Sequence, residues 1–244
     1  MFHLPLTLAD SWLDAAPGPT PLLPLPAAIA LVAAYLGLVV GAAEGLNRLL
    51  AADAEFTRKI VHIGSGQVMI LAWVFEIPGW VGLGAALVAG AIAILSYFVP
   101  ILPSINSVGR KSLGTLFYAS SIGLLIGYFF PQSLPQYAAI GILVMAWGDG
   151  LAALIGRNLG RHPYTIAGNR KSLEGTLTMV LASFTVTLLI LISTGESWAA
   201  VWPIAALVAL VAAVLEMFSQ FGLDNLTVPV GSAFLSFYLS RLWL

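Results

Sequence analysis

The chain has no cysteine, which excludes disulfides, thiolate nucleophiles and cysteine-bound metals from its fold and chemistry. Charge is scarce: 9% of the 244 residues are Asp, Glu, Lys or Arg, against about a quarter in a soluble domain. Too few polar groups remain to cover a surface in water. Neither sign is in surplus, because 10 basic residues stand against 11 acidic ones, so a nucleic-acid-binding face is not expected. The N-terminal stretch lacks the basic start of a cleaved signal peptide. Motifs of soluble nucleotide enzymes are missing too. Lys111 and Lys171 each follow Arg instead of Gly, so neither completes a phosphate-binding glycine loop, and no kinase glycine loop, nucleophile elbow or zinc-protease motif is found.

What the chain does have is apolar length. Hydrophobic residues make up 59% of it and the mean hydropathy is +0.96. At roughly 20 residues per span there is room for about eight crossings. The expected fold class is therefore an all-α integral membrane protein, with about eight transmembrane helices in a single domain over 27–244. An extramembrane arm over 1–26 precedes it, with an interfacial piece around Leu8 to Leu13 and a run of prolines from Pro17 to Pro26. Spans are expected near 27–49, 60–76, 79–101, 112–130, 135–156, 173–194, 198–218 and 226–243.

The basic residues agree with this layout. Arg48, Arg58 and Lys59 fall between the first two spans, Arg110 and Lys111 between the third and fourth, and Arg157, Arg161, Arg170 and Lys171 between the fifth and sixth. The alternate turns carry only Glu76 and Glu196. The positive-inside bias produces such an alternation, which places the basic turns in the cytoplasm and both termini outside. Glu44, Asp53, Glu55, Asp149, Glu174, Glu216 and Asp224 fall in or near that same half. Ionisable groups within spans are costly and usually functional. Both signs gathered on one face point to a polar reaction site at the membrane edge, not to a pore.

Five segments hold the chemistry-bearing residues. Arg110-Lys111-Ser112-Leu113-Gly114-Thr115-Leu116 is echoed at Arg170-Lys171-Ser172-Leu173-Glu174-Gly175-Thr176-Leu177. Each copy opens a span with a serine suited to cap a helix, whose unpaired N–H groups and dipole favour anions. The plainer reading is that Arg-Lys sets topology and Ser only caps; the added Glu174 favours function in the second copy. Asp149, flanked by Gly148 and Gly150, lies about 12 Å inside its span and needs a cation, a metal or a wet cleft there. Gly156, with Gly160, has spacing that also serves plain helix packing. Arg157 follows, and the loop from Arg161 to Tyr164 suits a polyphosphate or a base.

Arg58, Lys59 and His62 start the second span, and Lys59 and His62 share a helical face. They are a phosphate clamp or, for Arg58, a snorkelling anchor. Glu216, Asp224 and Asn225 offer hard oxygen donors. With Asp149 they suit Mg²⁺ held by a few carboxylates and phosphate oxygens, though Asp-Asn is equally an ordinary turn.

Arg58-Lys59-x-x-His62, Gly148-Asp149-Gly150-x-Ala152-x-x-x-Gly156-Arg157, Lys171-Ser172-x-Glu174-Gly175 and Asp224-Asn225-Leu226-Thr227-Val228-Pro229 together resemble the polyprenol kinase family. These are integral-membrane, CTP-using lipid kinases, including the dolichol, phytol and CTP-dependent diacylglycerol kinases. The resemblance covers about residues 55–240. Arg161-His162-Pro163-Tyr164 with Gly168-Asn169-Arg170-Lys171-Ser172 is most similar to the phytol kinase branch.

The resemblance implies transfer of a phosphoryl group from CTP to a long-chain isoprenoid alcohol, phytol or similar. Arg58 and Lys59 would be essential basic residues, Asp149 the acidic centre and Lys171 a nucleotide-phosphate contact, with Asp224 and Asn225 in the same pocket. The roles that follow are Asp149, Glu174 and Lys171 in catalysis and Arg58, Lys59, Arg170, Lys171, Ser172 and Asn225 on the nucleotide. Mg²⁺ would be held by Asp149, Asp224 or Glu216, and Asp149 or Glu174 would take the alcohol's proton. His62, Gly148, Gly150, Gly156 and Arg157 complete the site. The partners are the lipid alcohol, a nucleoside triphosphate and membrane lipids of a plasma or thylakoid-type membrane; nucleic acid is not among them, and a homo-oligomer is left open. A cytidylyltransferase forming a CDP-lipid, or a transporter without chemistry, are the competing readings.

Overall fold

In the computed structural model the described residues are 22–50, 53–98, 113–166 and 168–243. Most of the proposed arm and the Arg110-Lys111-Ser112 copy of the echo lie outside them. The described chain forms helices α1 (Leu25–Leu50), α2 (Ala54–Gly66), α3 (Val68–Val74), α4 (Gly79–Phe98), α5 (Gly114–Phe129) and α6 (Pro135–Leu143). A π-helical segment (Val144–Asp149) joins α6 to α7 (Gly150–Leu159). Strands β1 (Pro163–Ile166) and β2 (Asn169–Ser172) follow, then α8 (Leu173–Ser193), α9 (Trp198–Met217) and α10 (Asp224–Trp243).

Among the described residues five stretches are long and apolar enough to cross a membrane: Leu25–Leu49, Gly114–Gln132, Pro135–Leu159, Leu173–Ser193 and Trp198–Met217. The expectation of about eight spans is met in part: helices occupy the expected places, but not all are long or apolar enough. The proposed span over 60–76 is broken at Gln67, which caps α2 and opens α3. A window of continuous apolar residues does not reveal such a break. α4, 20 residues from Gly79 to Phe98, has the length of a crossing and is apolar over Gly79–Leu95. α10 places Ser232, Ser236 and Ser240 on its buried side, which lowers its apolar character below the other spans.

The bundle is built around the α6–π–α7 rod. Of its most apolar window 72% is buried, against 6% for α1 at the periphery. From Ala138 through Ala146 every side chain is inside, so the rod reads as apolar all round, as a core helix must. α8, α10, α5 and α3 pack around it, while α9 packs on α8 and α10. The π segment interrupts that core. Single-turn π bulges in α-helices occur mostly at functional sites, and Asp149 is its last residue.

The expected loop after α7 is a two-stranded antiparallel hairpin, with Tyr164 opposite Lys171 and Thr165 opposite Arg170. Gly168 turns it with φ +78°, a left-handed conformation that glycine adopts without penalty. Ser172 ends the hairpin and caps α8, its hydroxyl accepting from the Gly175 N–H at 3.1 Å. That cap is the one its sequence position announces.

Candidate active site

Lys59 and Asp149 form a direct ion pair between α2 and the π segment. Lys59 is 6% and Asp149 9% exposed. Two unpaired charges at that burial would each cost several kcal/mol, so they persist only together. Close helix approach brings them there. A Cβ on Gly150 would lie 2.6 Å from Cγ1 of Ile63 on α2, and one on Gly148 would lie 2.5 Å from Sδ of Met179 on α8. The two glycines thus let a helix press against each side of Asp149, a physical reason for Gly-Asp-Gly.

His62 lies one turn along α2 from Lys59, its Nε2 3.9 Å from Asp149 Oδ2. Its ring lies against the Met145 backbone, in the widened turn where an α-helical ladder is interrupted. The Tyr118 ring of α5 packs on it, centroids 4.8 Å apart.

A second ion pair joins Lys171 on β2 to Glu216 near the end of α9, where the ammonium also donates to the Glu216 carbonyl at 2.7 Å. Asn169 donates to the Ser219 carbonyl at 2.7 Å, and these two contacts clasp the hairpin to the α9–α10 turn. The two pairs share one electrostatic neighbourhood. Asp224 experiences the charges of Asp149, Lys59 and Lys171; Glu216 those of Asp149 and Asp224; Arg58 those of Asp149 and Asp224. The scattered ionisable residues are thereby drawn into one cluster at one end of the bundle.

Not every residue nominated from sequence faces that cluster. β2 alternates its side chains: Lys171 turns inward while Arg170 is exposed on the opposite face. The Arg-Lys pair therefore cannot act as one clamp from this strand. Arg58 is held by Glu55, its Nε donating at 3.0 Å. Glu174 accepts from the His162 ring at 2.7 Å and from its backbone N–H at 3.3 Å, which ties it to the hairpin's start. Asn225 donates to the Gly222 carbonyl at 3.1 Å and to Asp224 Oδ1 at 3.2 Å, bracing the turn into α10. Ser172 serves as the cap already described. A Cβ on Gly156 would meet Ser172 Oγ at 3.0 Å and Gly175 Cα at 3.4 Å, so Gly156 seats α7 against the start of α8.

Arg157 makes a bidentate pair with Asp53, at 2.6 and 3.0 Å. This guanidinium, with the Glu55 and Phe56 N–H groups at the helix start, holds the Asp53 carboxyl below the usual carboxylate range. The bond ties the start of α2 to the end of α7, and so fixes Lys59 opposite Asp149 from the rim. Asp53 and Tyr118 were missed as supports of the site. Asp53 carries a local sign, an acidic residue just before a helix start; the Tyr118 contact spans distant segments and leaves none.

The donor set is the hard-oxygen kind that Mg²⁺ accepts. Among the described residues no three His, Asp or Glu side chains converge closely enough to enclose an ion. Asp149 and Glu216 each face a lysine, whereas Asp224 has no ion-pair partner among the described residues. Such a set fits an ion held by one or two carboxylates and completed by polyphosphate oxygens, and not an all-protein cage.

The chain is 61% identical to a phytol kinase from Synechocystis sp. over 91% of its own length and 95% of the relative's. It is 30% identical to the chloroplastic phytol kinase 1 of Arabidopsis thaliana over 80% of this chain and 70% of that one. A chloroplastic farnesol kinase of the same plant shares 32% identity over 54% of this chain and 46% of its own. No family model matches the sequence, and no solved structure matches the fold.

Proposed function

The chain belongs to the polyprenol kinase family, whose phytol and farnesol kinases phosphorylate alcohols, and we propose that it transfers the γ-phosphoryl group of CTP to a long-chain isoprenoid alcohol, phytol first, at the cytoplasmic face of its membrane. The observation that carries this reading is the buried Lys59–Asp149 pair, electrostatically joined to Asp224 and to Lys171–Glu216 at one end of an apolar bundle. A greasy scaffold that concentrates its ions at one rim suits a reaction between a membrane-held hydroxyl and a water-soluble triphosphate.

In the transfer the alcohol oxygen bonds to the γ-phosphorus while the bond from that phosphorus to the bridging oxygen breaks. The products are the lipid monophosphate and CDP, with the hydroxyl proton released. Such a step depends on positioning and charge neutralisation more than on covalent help from the protein. Lys59 and Lys171, with Arg58 at the rim, offset phosphate charge. Asp149 is better supported than Glu174 as the proton's acceptor, because it sits among the buried cations while Glu174 is engaged by His162. Mg²⁺, when bound with the nucleotide by Asp149 and Asp224 or Glu216, would neutralise the developing charge on the phosphate oxygens.

The test uses membranes containing the protein, phytol, Mg²⁺ and CTP labelled at the γ phosphate. Label recovered as lipid monophosphate is the expected result. Label released as pyrophosphate, with CMP joined to lipid, would replace this reaction by that of a cytidylyltransferase.

A further inference from the structure

His62 holds a polar atom that the fold leaves unused. Its Nε2 is buried and has no hydrogen-bond partner. A neutral ring protonated at Nδ1 presents a lone pair at Nε2. That lone pair looks toward Asp149 Oδ2 at 3.9 Å, one acceptor facing another with no donor between them. An unmet buried acceptor costs about 1–3 kcal/mol, and a structure that keeps one beside its most buried ion pair is waiting for a donor.

The surroundings indicate where the donor comes from. α2 packs on α1, α7 and the π segment, but its backbone makes no extensive contact with α5. The His62–Tyr118 ring contact bridges that gap. Tyr118 is part-exposed while its hydroxyl is buried without a partner, so its ring runs inward between α2 and α5 from a surface that in a membrane faces lipid. The Tyr118 hydroxyl lies at this inner end, 3.2 Å from where a Cβ on Gly66 would stand. The same Cβ would lie 2.5 Å from Ala146 Cβ, so Gly66 lets α2 close against the rod beside that hydroxyl.

On the reading that the enzyme phosphorylates a lipid alcohol, we infer that His62 Nε2 is the acceptor that seats the substrate hydroxyl, and that the alcohol's chain lies in the seam between α2 and α5. The hydroxyl donates to Nε2 on binding and so stands beside Asp149 and Lys59, where it turns its proton to Asp149 as its oxygen lone pairs meet the incoming phosphate. Lateral access through the seam lets the head reach the ion cluster while the tail stays in lipid. The chemistry recognised is a primary alcohol on an apolar chain.

Two measurements test this. In His62→Leu, KM for phytol should rise roughly five- to a hundredfold, the cost of a lost bond to a buried group, while KM for CTP stays within about twofold; His62→Gln, which keeps an acceptor at similar reach, should recover part of the loss. An unchanged phytol KM, or equal rises in both KM values, overturns the assignment. Independently of any variant, a long-chain alcohol carrying a diazirine near its hydroxyl should label α2 or α5 of the wild-type protein. Labelling confined to α9 or α4 would also overturn it. If the wild type transfers no phosphate to any alcohol, the proposed reaction fails, and the photolabelling still decides the seat.

Discussion

Asp149→Asn separates the structural role of the buried ion pair from its chemical one. The substitution removes the carboxylate but not Lys59, leaving an ammonium that is 6% exposed without its counter-charge. Breaking a buried pair from one side costs about 3–5 kcal/mol, a large share of the stability of an ordinary domain. The variant should still insert, because the spans around Asp149 are unchanged, but it should unfold earlier in detergent and form no lipid phosphate. Pairing Lys59→Met with Asp149→Leu removes both charges. Replacing a buried pair with apolar residues of similar size is commonly neutral or better, so the double variant should return to within about 1 kcal/mol of the wild type while remaining inactive. Unfolding followed by heat or denaturant, beside phosphoryl transfer from γ-labelled CTP, reads both quantities. Near-normal lipid-phosphate formation by Asp149→Asn would refute the catalytic assignment. A double variant no more stable than either single one would refute the coupling.

Two further outcomes follow from the rim of the site. Lys171→Ala should raise KM for CTP about tenfold or more, the scale of a charge-assisted hydrogen bond, whereas Arg170→Ala, on the exposed face of the same strand, should change it less than about threefold; equal effects would remove the distinction between the two faces of β2. Asp53 has its folded-state pKa lowered by Arg157, so its pair stabilises the fold above the ordinary Asp value of about 3.9 and that contribution is lost as pH falls through the depressed value. The melting temperature of Asp53→Asn should therefore lie below that of the wild type at neutral pH and converge with it in acid; a gap that persists at the lowest pH would show that the charge is not its cause.

Much of the architecture was legible because burial in lipid leaves coarse marks. Continuous apolar runs placed the helices, the alternation of basic turns grouped the ionisable residues, and Ser172 announced its cap. The break at Gln67 was not legible, since the second half of α2 and all of α3 lie inside the one expected span over 60–76 and the signal for a bend is tertiary. The π segment left no trace either: within a rod that is apolar on every side, shifting the helical period changes no pattern. β1 and β2 are four residues each, too short for alternation to stand out from a polar loop. At the site, residue types foretold a charged cluster around Asp149, Asp224, Lys59 and Lys171. They did not foretell which side chains the fold would spend on itself. Arg170 and Lys171 are neighbours in the chain yet face opposite ways, and Glu174 meets His162 through a hairpin that the sequence did not disclose.

The π segment also makes the reactive end sensitive to spacing. A π turn accommodates one residue more than an α turn, and each residue rotates an α-helix by roughly 100°. Deleting one residue between Val144 and Gly148 would close the π turn to an α turn and leave Asp149 on nearly the same face, but deleting a second would exhaust that slack and swing everything beyond it by about that angle. Asp149 would then face away from Lys59 while the apolar packing beneath it survived. A chain of this kind can exchange one greasy side chain for another over most of its length, but its chemistry depends on an unbroken count of residues along one strut.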